Sequence, residues 1–567
     1  MKKKNTYLKK YLVNNKKNFV LGVFFSILKA SFSIFFAFLM EIVMNFALSD
    51  NLDKLPYILI ISILSLLFYG FSIYMKNFFQ NRFYYRALVD YKDELYETII
   101  SKDLSSFRQR NVGNYLSVMT NDINSIELNY LENVFLLPEQ LFLFSASIIA
   151  MLFSSWFFFL IIIVSALLPM LSTLIYSKKI KVQEERISAK NENFLSTVKD
   201  MLSGFTVIKS FNIEAEIVRL YKAGNSSLEN EKLKKRNMLG VVATASESSS
   251  IFLFIIVFLA GSIFTITGYL EIGVVVAFIQ LINYIVEPIE KLPQIINKIN
   301  ASKVLIDKGN KILDDTESVN AANTAIEKFE DKISFNKVTF SYGEKLILKG
   351  IDVSFEKGKS YALVGVSGSG KSTLLNLLMG YYRNYSGSIK IDDLEISEVS
   401  SKSLYEQISV IQQDVFIFDD DIISNITMYR DFPKEKVQEA LEKSGLSKLI
   451  EEKGIDYKCG ENGNRLSGGE KQRISIARCL LKETPVLLMD EAMSALDNAT
   501  SKQVEEAILS IADITRIVIT HKLNEEILKK YDAIVTLRDG VIVETGTFEE
   551  LMDKKGMFYS IYNVSFD

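Results

Sequence analysis

The sequence predicts an all-α membrane domain of six helices followed by an α/β domain. Two observations support this prediction. Long apolar stretches all lie before residue 295 of the 567-residue chain, and short β-rich runs alternating with helical stretches fill the later part. The amino-acid composition changes at residues 313–332, which are rich in Asp, Asn, Ala and Glu. We therefore expect a transmembrane domain at 1–312, a connector at 313–332 and an α/β domain at 333–567.

Six apolar stretches predict six membrane spans. Each supplies the roughly 20 residues that cross the hydrocarbon core of a bilayer. The run from Trp156 to Val164 has no polar face, which argues against buried helices of a soluble protein. The number of stretches also argues against a single cleaved signal peptide. The stretches lie near 18–47, 55–79, 133–153, 156–176, 247–268 and 272–294.

Lysines and cysteines predict the orientation. Seven lysines precede or open the first span, which places the N-terminus in the cytoplasm. Six spans then return the chain to the cytoplasm, so the α/β domain is expected there, and the long charged segments near 80–132 and 177–246 are cytoplasmic. Cys459 and Cys479 are the only cysteines, which fits a reducing compartment. The expected location is the cell membrane. The lysines are Lys2, Lys3, Lys4, Lys9, Lys10, Lys16 and Lys17.

The charge balance excludes other classes of function. With 65 Lys+Arg against 68 Asp+Glu, the net charge is −3, so nucleic-acid binding through overall positive charge is not expected. A single histidine excludes a His-rich metal site. Six apolar spans also argue against a soluble protein that acts on nucleic acid.

A glycine-rich loop between an apolar strand and a helix predicts a phosphate-binding site. Its glycines let backbone N–H groups point inward, and the helix N-terminus adds positive potential. We expect Lys371 to reach the β- and γ-phosphates of ATP and the Ser372 hydroxyl to bind Mg²⁺. The loop residues are Gly365, Val366, Ser367, Gly368, Ser369, Gly370, Lys371, Ser372 and Thr373.

A second strand ends in two carboxylates. The run Val486–Met489 is apolar and is followed by Asp490 and Glu491. A strand end beside a phosphate loop can present Asp490 to Mg²⁺ and Glu491 to an attacking water. Together with the loop, this pattern predicts an α/β P-loop NTPase that uses ATP and Mg²⁺.

Residues 466–473 resemble the signature sequence of ATP-binding-cassette (ABC) proteins, and the layout of six spans and one cassette resembles an exporter-type half-transporter. The resemblance implies that Tyr342 stacks on adenine, that Gln413 links Mg²⁺ to the membrane domain, and that His521 contacts the γ-phosphate. It also implies that the D-loop contains Asp497. Segments 107–122 and 204–214 resemble the two coupling segments of this family.

The same resemblance implies a dimer. Ser467, Gly468 and Gly469 of one chain would complete the ATP site of a second half-transporter, which the sequence leaves open as an identical or a different chain. ATP-driven export of an amphipathic compound, peptide or lipid by alternating access is the leading interpretation. Import on the same architecture and an ATP-gated channel remain alternatives.

Three departures from the family pattern and one membrane lysine stand out. Glu470 replaces the usual Gln of the signature, Gln412 stands where Pro often precedes the Q-loop glutamine, and Met493 stands where Thr is frequent. Lys29 lies within the first span, with several glutamates in other spans. It is interpreted either as part of a polar path that attracts an anionic group, or as half of a Lys–Glu pair that fixes helix packing.

Overall fold

The computed structural model describes residues 10–564 except 12, 49–51, 315–323, 492–497 and 510. The chain forms two compact units. The first contains residues 1–97 and 113–313, and the second contains residues 98–112 and 314–567. A short segment between two membrane helices, 98–112, therefore belongs to the second unit.

Long helices make up the first unit. They tolerate internal prolines at Pro138, Pro288 and Pro293. Two short π-helical stretches, Val118–Asp122 and Glu127–Leu131, interrupt the helical segment that leads to the third predicted span. The helices up to the end of this unit are α1 (Lys16–Ala47), α2 (Leu55–Ser101), α3 (Leu104–Arg108), α4 (Val112–Ser117), α5 (Ile123–Ile126), α6 (Glu132–Ser154), α7 (Trp156–Ser203), α8 (Phe205–Ser210), α9 (Glu214–Ile266) and α10 (Ile272–Asp314).

Within the described residues, five helical segments are long and apolar enough to cross a membrane. In the second of them only 6% of the most apolar stretch is buried within the protein, so its side chains suit contact with lipid. The fourth predicted span, near 156–176, lies in α7, where several side chains fall outside the described residues. The five segments are Lys16–Ala47, Leu52–Ser101, Val112–Ser154, Glu214–Ile266 and Ile272–Asp314.

Glu139 joins three of the membrane helices. Its carboxylate accepts hydrogen bonds from Lys29 Nζ of α1 at 2.8 Å and from Lys76 Nζ of α2 at 2.7 Å. The Glu139 side chain is 3% exposed. A buried charge is tolerated when it is paired, so each lysine stabilises the carboxylate. Lys29 thus forms the Lys–Glu pair that the packing interpretation expects.

The second unit contains two sheets and shorter helices. Its strands are β1 (Lys332–Tyr342), β2 (Lys345–Glu356), β3 (Ser360–Val364), β4 (Ser386–Ile391), β5 (Leu394–Glu395), β6 (Ile408–Ile411), β7 (Val486–Asp490), β8 (Thr515–Ile519), β9 (Ala533–Arg538) and β10 (Val541–Gly546). Its later helices are α11 (Lys371–Leu378), α12 (Ser401–Gln407), α13 (Ile422–Thr427), α14 (Lys434–Lys443), α15 (Ser447–Lys453), α16 (Gly468–Lys482), α17 (Asn498–Leu509), α18 (Glu525–Leu528), α19 (Phe548–Lys554) and α20 (Met557–Val564).

The six-stranded sheet has the order β10-β9-β3-β8-β7-β6, and the four-stranded antiparallel sheet has the order β2-β1-β4-β5. Strands β3, β8, β7 and β6 pair in parallel, and β3 is fully buried. Such burial on both faces explains why these strands read as continuous apolar runs. Leu374 and Leu377 of α11 share one core with residues of both sheets. The predicted helical membrane domain followed by an α/β cassette is confirmed.

A capping box starts α16 at the residues that resemble the signature. Ser467 Oγ accepts from the Glu470 N–H at 3.3 Å, and Glu470 Oε2 accepts from the Ser467 N–H at 2.7 Å. Lys453 Nζ lies 3.1 Å from Glu470 Oε1. Burial raises the pKa of Glu470, but the Ser467 N–H and Lys453 outweigh it and hold that pKa below its usual value. The departure from Gln therefore gains an ion pair and keeps the cap.

Replacing Glu139 tests its part in joining the helices. Glu139→Gln leaves Lys29 and Lys76 without their shared carboxylate, which costs about 3 kcal/mol for a broken buried pair. We expect a clear fall in the thermal unfolding midpoint of the purified protein in detergent. The matched control is Glu287→Gln, since the more exposed Glu287 pairs with Lys291 and such pairs contribute little. Equal midpoints for both variants would contradict this assignment.

The ion pair of Glu470 predicts a pH-dependent stability difference. A lowered folded-state pKa gives stability that is present above the unfolded value and is lost as pH falls through the folded value. Glu470→Gln should therefore cost about 0.5 kcal/mol near neutral pH, and the difference should vanish between about pH 5 and pH 3. Thermal unfolding across this range measures it, with exposed Glu451→Gln as control. A difference that persists at the acidic end would refute the assignment.

Candidate nucleotide-binding site

The predicted phosphate loop leaves the carboxyl end of β3, a central strand of the parallel sheet. A Cβ at Gly365 would lie 2.3 Å from the Leu537 carbonyl oxygen, so no larger residue fits there. Gly370 has φ of 106° directly before α11, a conformation that favours glycine. The sequence thus folds here into a tight loop that ends at a helix N-terminus, where N–H groups can bind phosphate.

Lys371 lies inside the curl of this loop. Its Nζ donates to the carbonyl oxygens of Gly365 at 2.8 Å and Val366 at 3.1 Å. Burial lowers the pKa of Lys371, while Glu491 and Asp490 act in the opposite direction. The ammonium is buried in a small polar enclosure, which strengthens its attraction for an anion.

Ser372 and Asp490 bring an α-helix and a strand end together. Ser372 Oγ donates to Asp490 Oδ1 at 3.1 Å, although the residues are 118 positions apart in sequence. Burial raises the pKa of Asp490, and the neighbouring Glu491 raises it further. A hydroxyl beside a carboxylate is a set of hard oxygen donors, which fits Mg²⁺. The side-chain amide of Gln413 can supply a further oxygen.

Both oxygens of the Glu491 carboxylate have partners. Glu491 Oε1 lies 2.9 Å from His521 Nε2, and Glu491 Oε2 accepts from Gln413 Nε2 at 3.1 Å. The residue has φ of 49°, in the left-handed region that costs a non-glycine residue about 1 kcal/mol. Three strand ends thus fix one carboxylate in position at the edge of the sheet.

Sequence reasoning did not foresee that Glu491 contacts both His521 and Gln413. These partners are 30 and 78 positions from it in sequence, so no local pattern reports the contacts. They follow from sheet order, because β6, β7 and β8 are neighbours and end at the same edge.

The remaining predicted residues lie in three places. Tyr342 ends β1, packs edge-on against Tyr382 at 5.2 Å between ring centroids and lies near Thr373 of α11, so it borders the loop. Ser467, Gly468 and Gly469 lie at the start of α16. Asp497 and Met493 lie outside the described residues.

Family models match both parts of the chain. Residues 19–289 match a family model described as "ABC transporter transmembrane region", and residues 348–494 match one described as "ABC transporter". The fold resembles that of a structure described as a bacterial Atm1-family ABC exporter with ATP bound, with a TM-score of 0.83 and 22% identity. That likeness covers 97% of this chain and 99% of the other.

Curated relatives include proteins named ATP-dependent lipid A-core flippase. The protein of Syntrophus aciditrophicus (strain SB) is 28% identical, over 92% of this chain and 87% of its own length. The protein of Neisseria meningitidis serogroup A / serotype 4A is 31% identical, over 74% of this chain and 68% of its own length. The chain is a multi-pass membrane protein with an ATP-binding ATPase domain, and it belongs to the ABC transporter family.

Proposed function

We propose that two copies of this chain couple Mg²⁺-dependent ATP hydrolysis to the export of a lipid. The observation that carries the ATPase part of the proposal is that Gln413 and His521, each after a neighbouring strand, both contact Glu491, next to the Asp490 that the phosphate-loop helix contacts. The site residues, the metal, the partner and the transported class are parts of the proposal, and each has its own support.

The loop and Lys371 bind the phosphates, and Glu491 orients the attacking water. Lys371 needs only a small movement from the loop carbonyls to reach a phosphate oxygen, because its Nζ already lies inside the curl. Glu491 acts as the general base, and His521 and Gln413 hold its carboxylate in one orientation. Tyr342 borders the loop through Thr373, which suits stacking on adenine.

The metal is assigned to Ser372, Asp490 and Gln413. When bound, Mg²⁺ neutralises charge on the phosphates. Ser372 and Asp490 are already 3.1 Å apart and offer hydroxyl and carboxylate oxygens, the ligands that this ion prefers. Their mutual hydrogen bond keeps both side chains at the loop before the ion arrives.

Lipid export rests on the curated relatives and on the membrane unit. The relatives from two organisms are named lipid A-core flippases, and the structural likeness is to an exporter. A lipid can enter a bundle sideways from the bilayer, which suits helices with largely exposed apolar faces. We place the N-terminus and the α/β domain in the cytoplasm, with domains at 1–312 and 333–567 joined by 313–332.

A homodimer is supported by two exposed apolar surfaces. The first is the α8 surface, formed by Phe205, Val207 and Phe211. The second is the Phe416 surface, formed by Phe416, Phe418 and Tyr429. The ring centroid of Phe418 lies 5.1 Å from that of Phe416 and 5.9 Å from that of Tyr429. Exposed apolar patches mark contacts between proteins. We infer that the α8 surface of one copy covers the Phe416 surface of another.

Hydrolysis and lipid movement test the function together. Glu491→Gln should lower ATP hydrolysis by a factor of at least about 100 while ATP still binds, because it removes the base and not the phosphate contacts. In proteoliposomes, added Mg-ATP should move nitrobenzoxadiazole-labelled phosphatidylglycerol from the outer to the inner leaflet, detected by protection from dithionite, and the variant should not.

Exposed Glu435→Gln on α14 is the control and should match the parent protein in both measurements. Hydrolysis without lipid movement would count against the lipid. Full hydrolysis by Glu491→Gln would count against its role as base, and an ATP-dependent ion conductance would favour a channel.

Cysteine crosslinking tests the homodimer. Phe211→Cys in one tagged copy and Tyr429→Cys in a differently tagged copy should give a disulfide-linked product of both tags after mild oxidation. Of the two native cysteines, Cys459 is buried and Cys479 is half-buried, so neither competes freely for the crosslink. Exposed Tyr221→Cys on α9 replaces Phe211→Cys as the control. A crosslink of equal yield with the control, or none with the test pair, contradicts the homodimeric contact.

A further inference from the structure

The segment from Asp103 to Arg108 is part of the second unit and packs against its core. Asp103 Oδ1 accepts from the Ser106 N–H at 2.7 Å and so caps α3. Leu104 packs against the core that both sheets share. The segment belongs to this unit although it lies in sequence between two membrane helices.

Arg108 of α3 lies on the face of a buried tyrosine ring. Its guanidinium carbon lies 4.3 Å from the centroid of the Tyr381 ring. Tyr381 is 6% exposed and belongs to the core that both sheets share, whereas Arg108 is exposed, so the guanidinium covers the solvent side of the ring. Arg108 thereby fixes the position of the Tyr381 ring.

Tyr381 in turn holds Gln412. The Tyr381 hydroxyl accepts from Gln412 Nε2 at 2.7 Å. Gln412 is the first residue after β6, and the next residue, Gln413, donates to Glu491. The hydrogen bond therefore restrains the Gln412 side chain at the point where the chain leaves the sheet and turns toward the site.

We propose that Arg108, Tyr381 and Gln412 are positioning residues that hold the Gln413 amide at Glu491 and the metal. A proline, frequent at position 412 in the family, would restrict the backbone covalently, because its ring fixes φ. Gln412 replaces that covalent restraint with a hydrogen bond whose strength depends on where Arg108 holds Tyr381. The proposal rests on the ATPase site and not on the transported lipid.

Metal affinity is the direct test. Mn²⁺ binding to the protein saturated with a non-hydrolysable ATP analogue is measured by electron paramagnetic resonance, for Arg108→Met, Tyr381→Phe and the double variant. Tyr381→Phe removes only the hydroxyl and keeps the ring under Arg108. Each single variant should weaken Mn²⁺ binding about fivefold, and the double variant no further, because both break the same chain of contacts.

The nucleotide affinity in the presence of EDTA should stay unchanged in all three variants, and the Mg²⁺ concentration for half-maximal hydrolysis should rise about fivefold in each. Exposed Arg86→Met is the matched control and should behave as the parent protein. An unchanged Mn²⁺ affinity, a double variant weaker by the product of both effects, or an equal loss of EDTA-state nucleotide affinity would overturn the proposal. No lipid transport is measured, so these outcomes are independent of the export proposal.

Discussion

The arrangement of the site residues in the second unit depends on the position of β8 between β3 and β7 in the sheet. Parallel pairing makes the carboxyl ends of these strands meet, and the chain leaves each end into a turn that carries site residues. The loop 365–370 follows β3, Asp490 ends β7, and His521 follows β8. With β6 beyond β7, Gln413 joins the same edge. Exchanging β8 with another strand would separate His521 from Glu491 and leave the loop without its carboxylates.

Charge pairing plays the corresponding part in the first unit. Membrane helices cannot use the removal of apolar surface from water to choose their neighbours, since lipid is equally apolar. Glu139 accepts from lysines of two other helices, so it ties three spans together in one arrangement. Lys29 and Lys76 share this one carboxylate, so the group of three keeps one net positive charge. The pair accounts for Lys29 in the packing of the helices, and the interpretation of an attracted anionic group stays open beside it.

The sequence was sufficient for the fold class because both signals are long and regular. Apolar runs of bilayer length predicted the membrane helices, and alternating strands and helices predicted the cassette. The site was predictable where a motif is local, as in the loop at 365–373 or the pair Asp490 and Glu491. Contacts made by sheet order, such as Gln413 with Glu491, have no local signal because 78 positions separate them.

The departures from the family pattern show a second limit of sequence reasoning. Glu470 could be judged from its neighbours, since a helix start favours a carboxylate and the capping partner is only three residues away. Its ion pair with Lys453 needed the structure, because that lysine lies on another helix.

Gln412 could not be judged at all from its neighbours. From the sequence, the absence of a proline predicts a less restricted backbone. In the structure, the Tyr381 hydroxyl lies within hydrogen-bonding distance of Gln412, and Arg108 lies on the face of the Tyr381 ring. The restraint at this position is then not lost but transferred to a contact with α3. A covalent restraint does not depend on the rest of the fold, whereas this restraint depends on where Arg108 lies on the ring. The substitution therefore makes the position of Gln413 depend on a segment that is far from it in sequence.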